Sequence, residues 1–149
     1  MGHADIEEML LSKGADVNQP RTDIEATALH IASQEGHSKV VEKLLAHGAN
    51  TNLATSDDGC TPLFLASMEG CTNIVEMLLG KGADVNQPCI EDGVTALQIA
   101  ADRGQAADVR LLLAAGAKIW DESQGLPDAV GGLSWAAVVD MKRSIDTPP

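Results

Sequence analysis

The side chains of this 149-residue chain that could do chemistry are a pair of histidines one repeat apart, three cysteines and two pairs of adjacent carboxylates. His3 and His37 stand 34 residues apart, a spacing that suggests a shared metal. Stacked helices lie about 8–10 Å apart, whereas two nitrogens on one zinc must each approach it to about 2 Å. One ion cannot readily bridge the two. Cys60, Cys71 and Cys89 are odd in number and lack ligand spacing, which argues against a disulfide framework and a zinc site; they read as reduced thiols. Asp57/Asp58 and Glu91/Asp92 fall in polar loop sequence, where no low-dielectric pocket would separate their pKa values for acid–base work. They read as solvated charge. The chain shows no glycine-rich phosphate loop, nucleophile elbow or ligand cluster. It therefore reads as non-enzymatic, with no metal and no cofactor, although it could belong to an enzyme whose catalytic domain lies elsewhere.

The elements that would carry these residues recur with a fixed step. Gly14, Gly48, Gly82 and Gly116 are each separated by 34 residues, and each closes a Leu-Leu-x-x-Gly-Ala segment. Gly2, Gly36, Gly70 and Gly104 keep the same step, as do Thr27, Thr61 and Thr95. Such a period means a solenoid of stacked supersecondary units. In one unit, Thr27 can cap a short helix that runs to Gly36, and in the next copy Pro62 takes the favoured first helical position. Leu29 and Ala32 share a face, and the small alanine lets a neighbouring helix approach. Val40, Val41, Leu44 and Leu45 mark a second helix, which Gly48 ends. The polar stretch that follows carries Asp58-Gly59 in one copy and Asp92-Gly93 in the next, a tight-turn signal.

The fold class that follows is an all-α repeat solenoid, with helix-turn-helix-hairpin units stacked in a curved array. The expected division of this single domain is a partial unit over residues 1–22, full units over 23–56, 57–90 and 91–124, and a degenerate half-unit cap over 125–149. Two positions break the pattern. Glu25 takes the turn position of Gly59 and Gly93, which predicts a different loop or a strained one. Asp108 stands where Ile6, Val40 and Ile74 stand, which predicts a polar partner or a displaced helix.

Both ends look incomplete. Gly2 falls at the mid-unit glycine, so the face of Ile6, Leu10 and Leu11 lacks a partner helix. A fragment of a longer array is expected, with end-to-end self-association as the alternative. At the other end, Leu133-Ser134-Trp135-Ala136-Ala137 reads as a final first helix, reached through a loop containing Gly125, Pro127, Gly131 and Gly132. Trp135 would plug the last unit at the site of Ile31, Leu65 and Ile99, and residues beyond about Ser144 would fray.

Composition narrows the partner. A formal charge of −12 disfavours nucleic acid, whose binding depends on Lys and Arg displacing counterions. No apolar stretch is long enough to cross a bilayer and no secretory signal opens the chain, so no membrane association and a cytoplasmic or nuclear location are expected.

Thr61-Pro62-Leu63-Phe64-Leu65-Ala66, Gly36-His37-Ser38-Lys39-Val40-Val41 and Leu78-Leu79-Gly80-Lys81-Gly82-Ala83-Asp84-Val85-Asn86 resemble ankyrin repeats over roughly residues 2 to 120. The family's usual period is 33, and the extra residue here falls in the projecting loop, where an insertion costs least. The resemblance implies that His30 braces its loop by hydrogen bonds near the helix start. It also makes Asn18 and Asn86 similar to asparagines hydroxylated in the family, although a side chain tying loop to loop is the stronger reading. Partners would contact the loop tips and the exposed side of each first helix. Those positions are Asp23, Ile24 and Ala26 with Gln34 and Glu35; Asp57, Asp58 and Cys60 with Met68 and Glu69; and Glu91, Asp92 and Val94 with Asp102 and Arg103, with Ile24, Met68 and Val94 as an apolar stripe between the charges. Acids dominate this concave face, which implies a basic protein partner. The alternative is a spacer in a longer array whose acidic surface is passive.

Overall fold

The structure is a computed structural model that describes residues 14–20, 25–89, 93–119 and 132–147. Among these residues there are seven helices and no strand: α1 (Ala28–Gln34), α2 (Ser38–Ala46), α3 (Pro62–Glu69), α4 (Thr72–Gly80), α5 (Ala96–Asp102), α6 (Ala106–Ala114) and α7 (Trp135–Asp146). The all-α repeat architecture is as expected. The N-terminal half-unit with Ile6, Leu10 and Leu11, and the loop with Gly125, Pro127 and Gly131, lie outside the described residues.

Threonines start the first helices. The Thr61 hydroxyl accepts the backbone N–H of Phe64 at 3.2 Å, with Pro62 at the first helical position. The Thr95 hydroxyl accepts that of Gln98 at 3.4 Å. At the other end of α3, Gly70 adopts a left-handed conformation (φ 71°), and a Cβ there would collide with the Gln105 side chain. Gln105 uses this close approach to donate from Nε2 to the Met68 carbonyl at 3.2 Å, tying the end of α3 to the start of α6.

The central buried positions repeat with the chain's period. α1 packs on α3 and α3 on α5, bringing Leu29, Leu63 and Leu97 together with Ala32, Ala66 and Ala100 in one core. α2 packs on α4 and α4 on α6, which adds Val41, Val75 and Val109 with Leu44, Leu78 and Leu112. Each leucine buried in this way stabilises the stack by about 1.5–3 kcal/mol.

Asparagines join the units along the opposite edge. Asn18 Oδ1 accepts the backbone N–H of Asn50 at 2.7 Å, Asn52 Oδ1 that of Asp84 at 2.7 Å, and Asn86 Oδ1 that of Lys118 at 2.8 Å. Asn52 and Asn86 also donate from Nδ2 to the carbonyls of Gly82 and Gly116, each at 3.4 Å. This is the loop-to-loop role read from the sequence. Asn52 plays it as well, although its flanking residues differ from those of Asn18 and Asn86.

Three irregular positions resolve in distinct ways. Glu25 adopts the same left-handed conformation as its glycine counterparts, with φ 49° against 67° at Gly59 and 64° at Gly93, so this position keeps the backbone conformation of the others and carries strain. Asp108 is fully buried in an uninterrupted α6, and neither of its carboxylate oxygens has a hydrogen-bond partner among the described residues. Burial pushes its carboxyl above the ordinary value; the Thr72 hydroxyl favours the charged form, but from outside hydrogen-bond geometry.

The third is α7. Ser134 caps it, accepting from the Ala137 N–H at 3.3 Å, so Trp135 occupies the place of Ala28, Pro62 and Ala96, not that of Ile31. The helix packs on α6, burying Trp135 and Val138. It runs to Asp146, past the expected fraying point at Ser144, where Lys142 pairs with Asp146 at 2.8 Å one turn away. Leu133 N–H donates to the Ala101 carbonyl at 2.7 Å, and Gly132 lies so close to the Ala101 and Asp102 carbonyls that no side chain would fit.

Candidate functional site

The hairpin between α2 and α3 is ordered by its own polar side chains. Thr55 N–H donates to the Cys60 carbonyl at 3.1 Å, and the Thr55 hydroxyl donates to Asp58 Oδ1 at 2.6 Å. Cys60 N–H in turn donates to Thr55 Oγ1 at 3.1 Å, and Asp57 Oδ1 accepts the Asp58 N–H at 2.9 Å. The bond from Thr55 holds the Asp58 carboxyl below the ordinary value, outweighing the effect of partial burial. Asp58 therefore remains an exposed, ionised group in a set position. The loop tip read as solvated charge is solvated, but its carboxylates are not free to wander.

His30 supports this hairpin from below. Its Nδ1 accepts the Thr27 N–H at 3.1 Å, which places the ring proton on Nε2, 2.9 Å from the Leu53 carbonyl that accepts it. Burial lowers the pKa of the ring, with the backbone bonds and the Asp58 and Asp57 charges acting in the opposite sense. This is the bracing role implied by the resemblance. Gln98 reproduces half of it, accepting the Thr95 N–H at 2.7 Å. Phe64 does not, and its ring joins an apolar cluster with Cys60, Leu65 and Cys89.

Between the hairpin and the exposed sides of α1 and α3 lies a groove of about 290 Å³. Ile31, Phe64, Leu65 and Met68 supply its apolar surface, and Gln34, Asp57 and Asp58 its polar groups. Ile31 is 36% exposed, on a helix whose Leu29 and Ala32 are buried. Of the expected contact residues, Ala26, Gln34, Asp57, Asp58, Cys60 and Met68 come together here. Glu35 and Glu69 are exposed at the ends of α1 and α3, and Asp102 and Arg103 at the end of α5, outside the groove. Val94 is half-buried and packs with Met68 against the second apolar cluster. Asp23, Ile24, Glu91 and Asp92 lie outside the described residues.

Ile31, Phe64 and Leu65 were not among the expected contact residues. A signal was present: Ile31/Gln34 and Leu65/Met68 are three apart, and so share a helix face distinct from that of Leu29/Ala32 and Leu63/Ala66.

Paired helices with projecting hairpins, stacked at a constant period, define a helical repeat solenoid. A family description for ankyrin repeats in three copies matches residues 1–89, and one for a single ankyrin repeat matches residues 92–122. The chain belongs to the ankyrin repeat family. No match was found among curated proteins. Ankyrin repeats are generally protein–protein interaction modules, and proteins built from them are typically non-enzymatic. Among the described residues no helix is long and apolar enough to cross a membrane.

Proposed function

We propose that this chain is a non-enzymatic recognition module that holds a basic segment of a protein partner in the groove between α1, α3 and the Thr55–Cys60 hairpin. The observation that carries the reading is the pairing of an apolar floor, formed by exposed Ile31 and half-buried Met68 beside buried Phe64 and Leu65, with fixed acids. A Lys or Arg side chain can lay its methylene stem on Ile31 and Met68 and bring its charged head to Asp57 and Asp58. Glu35, Glu69 and Asp102 extend the negative field along the ends of the first helices, with Arg103 the base beside them, and would raise the rate of encounter with a basic surface.

The test is affinity capture from cell extract with the parent chain and with Asp57→Lys/Asp58→Lys, Ile31→Asp and Glu76→Lys variants. The captured partner is then purified and titrated against each. Glu76 lies exposed on α4, away from the groove. Binding that weakens at least tenfold in the first two variants, persists in the third and falls with salt supports the groove. Equal binding by all four assigns recognition to another surface.

A further inference from the structure

Cys60 and Cys89 occupy different positions in consecutive units, 29 residues apart rather than a full period, yet their sulfurs lie 2.8 Å apart. Thr55 N–H donates to the Cys60 carbonyl and Cys89 N–H to the Val94 carbonyl, so the same bond closes both hairpins. Cys60 therefore lies on the outgoing leg of one hairpin and Cys89 on the incoming leg of the next. At the preceding junction the equivalent positions are Ala26 and Thr55, which have nothing to cross-link. Both thiols are just beneath the surface, 5% and 6% exposed, in the apolar cluster with Phe64 and Leu65.

We propose that Cys60 and Cys89 are a redox-modification site: a dithiol that closes to an intramolecular disulfide on reaction with a small-molecule disulfide such as glutathione disulfide, stapling two successive hairpins beside the groove. One cysteine thiolate attacks a sulfur of the oxidant, forming a mixed disulfide and expelling one glutathione thiolate. The other cysteine loses its proton to solvent and attacks the protein sulfur of that mixed disulfide, expelling the second glutathione. Two protein thiols are oxidised, the oxidant disulfide is reduced to two thiols, and the two protons released by the protein balance the two thiolates formed.

Geometry favours the second step over a stable mixed adduct. A disulfide bond is about 2.05 Å long, so the sulfurs need to close by less than about 1 Å. The second thiol is already within contact distance of the first, which no free glutathione can match. Burial pushes the Cys60 thiol up, which slows its attack as a thiolate. Cys71, the N-cap of α4, lies outside this cluster and serves as an internal comparison. The proposal stands whether or not the groove is the recognition site. Because Cys60 lines that groove, its oxidation would also fix one of the groove walls.

The experiment is incubation of the folded chain with glutathione disulfide, alkylation of the remaining thiols, and peptide mapping by mass spectrometry without reduction. The expected product links the peptides of Cys60 and Cys89, lacks two hydrogens and has a higher thermal midpoint than the reduced chain. The Cys71→Ser variant should give the same link, and Cys60→Ser should leave Cys89 as a stable glutathione adduct. A stable adduct on Cys60 or Cys89 in the parent chain, a link to Cys71, or full alkylation of all three cysteines would overturn the proposal.

Discussion

Asn52 Oδ1 accepts the backbone N–H of Asp84 at 2.7 Å, thirty-two residues further along, while its own N–H donates to Asn50 Oδ1 at 3.0 Å. One side chain therefore satisfies the backbone of the next unit, and a neighbour within its own loop satisfies Asn52. Asn52→Ala leaves the Asp84 N–H to solvent and also removes the long bond to the Gly82 carbonyl. The expected cost is about 1 kcal/mol, since the site is exposed and water can replace part of what is lost. Asn52→Asp keeps the acceptor and should cost less. Urea unfolding of the three proteins measures the order; a variant as stable as the parent at alanine would show that the ladder follows from the stack without supporting it.

Glu25 holds a conformation that suits its glycine counterparts. A left-handed backbone costs an L-residue about 1–2 kcal/mol, and glycine gives back roughly 0.5–1 kcal/mol through its looser unfolded chain. Glu25→Gly should therefore stabilise the fold by about 0.5–1 kcal/mol. Glu25→Ala, which retains a Cβ, should not. Parallel urea titrations separate relief of backbone strain from mere loss of a negative charge.

The solenoid was legible because a 34-residue step forces each apolar contact to repeat: Leu29, Leu63 and Leu97 are visible in the letters before any contact is seen. The strain at Glu25 was legible for the same reason, through comparison with Gly59 and Gly93. What escaped were relationships that do not keep the period. Cys60 and Cys89 meet across offset legs of two hairpins, and a comparison of equivalent positions pairs Cys60 with Ala26 and Val94 instead. The exposure of Ile31 escaped because an isoleucine in a repeat is read first as core. α7 departed because its cap is Ser134, which puts Trp135 at the first helical position.

Asp108 destabilises the fold by an amount that depends on pH. Its folded carboxyl titrates above the unfolded value, because burial disfavours the charge. Between those two values the native state binds more protons than the unfolded chain, so stability falls as pH rises from the ordinary carboxyl range near about 4. Asp108→Asn should flatten that decline. Asp108→Ile, which copies Ile74 in the unit before, should raise stability at neutral pH by about 1–3 kcal/mol. Unfolding free energies of parent and variants from acid to neutral pH give the comparison, and parallel curves for parent and Asp108→Asn would show that the carboxyl is not perturbed.

His30 acts in the opposite sense, its shift running downward from the histidine value where that of Asp108 runs upward from the carboxyl value. Burial depresses its folded pKa, and protonation would also set an Nδ1 proton against the Thr27 N–H. Stability carried by the neutral ring is fully present above the unfolded histidine value of about 6.5 and is lost as pH falls through the folded value. His30→Gln should keep the bond from Thr27, as Gln98 does for Thr95, and lose the one to Leu53, at a cost of about 1 kcal/mol in mildly alkaline solution. That deficit should shrink as pH falls, because only the parent has a ring to protonate. The partners of His30 are Thr27 and Leu53, whereas Asp108 faces Thr72, so the two effects should add. In an Asp108→Asn background the histidine effect should stand alone as stability that rises from mildly acidic to neutral pH, and adding His30→Gln should remove that rise. A rise that survives the double substitution would assign it to groups other than His30.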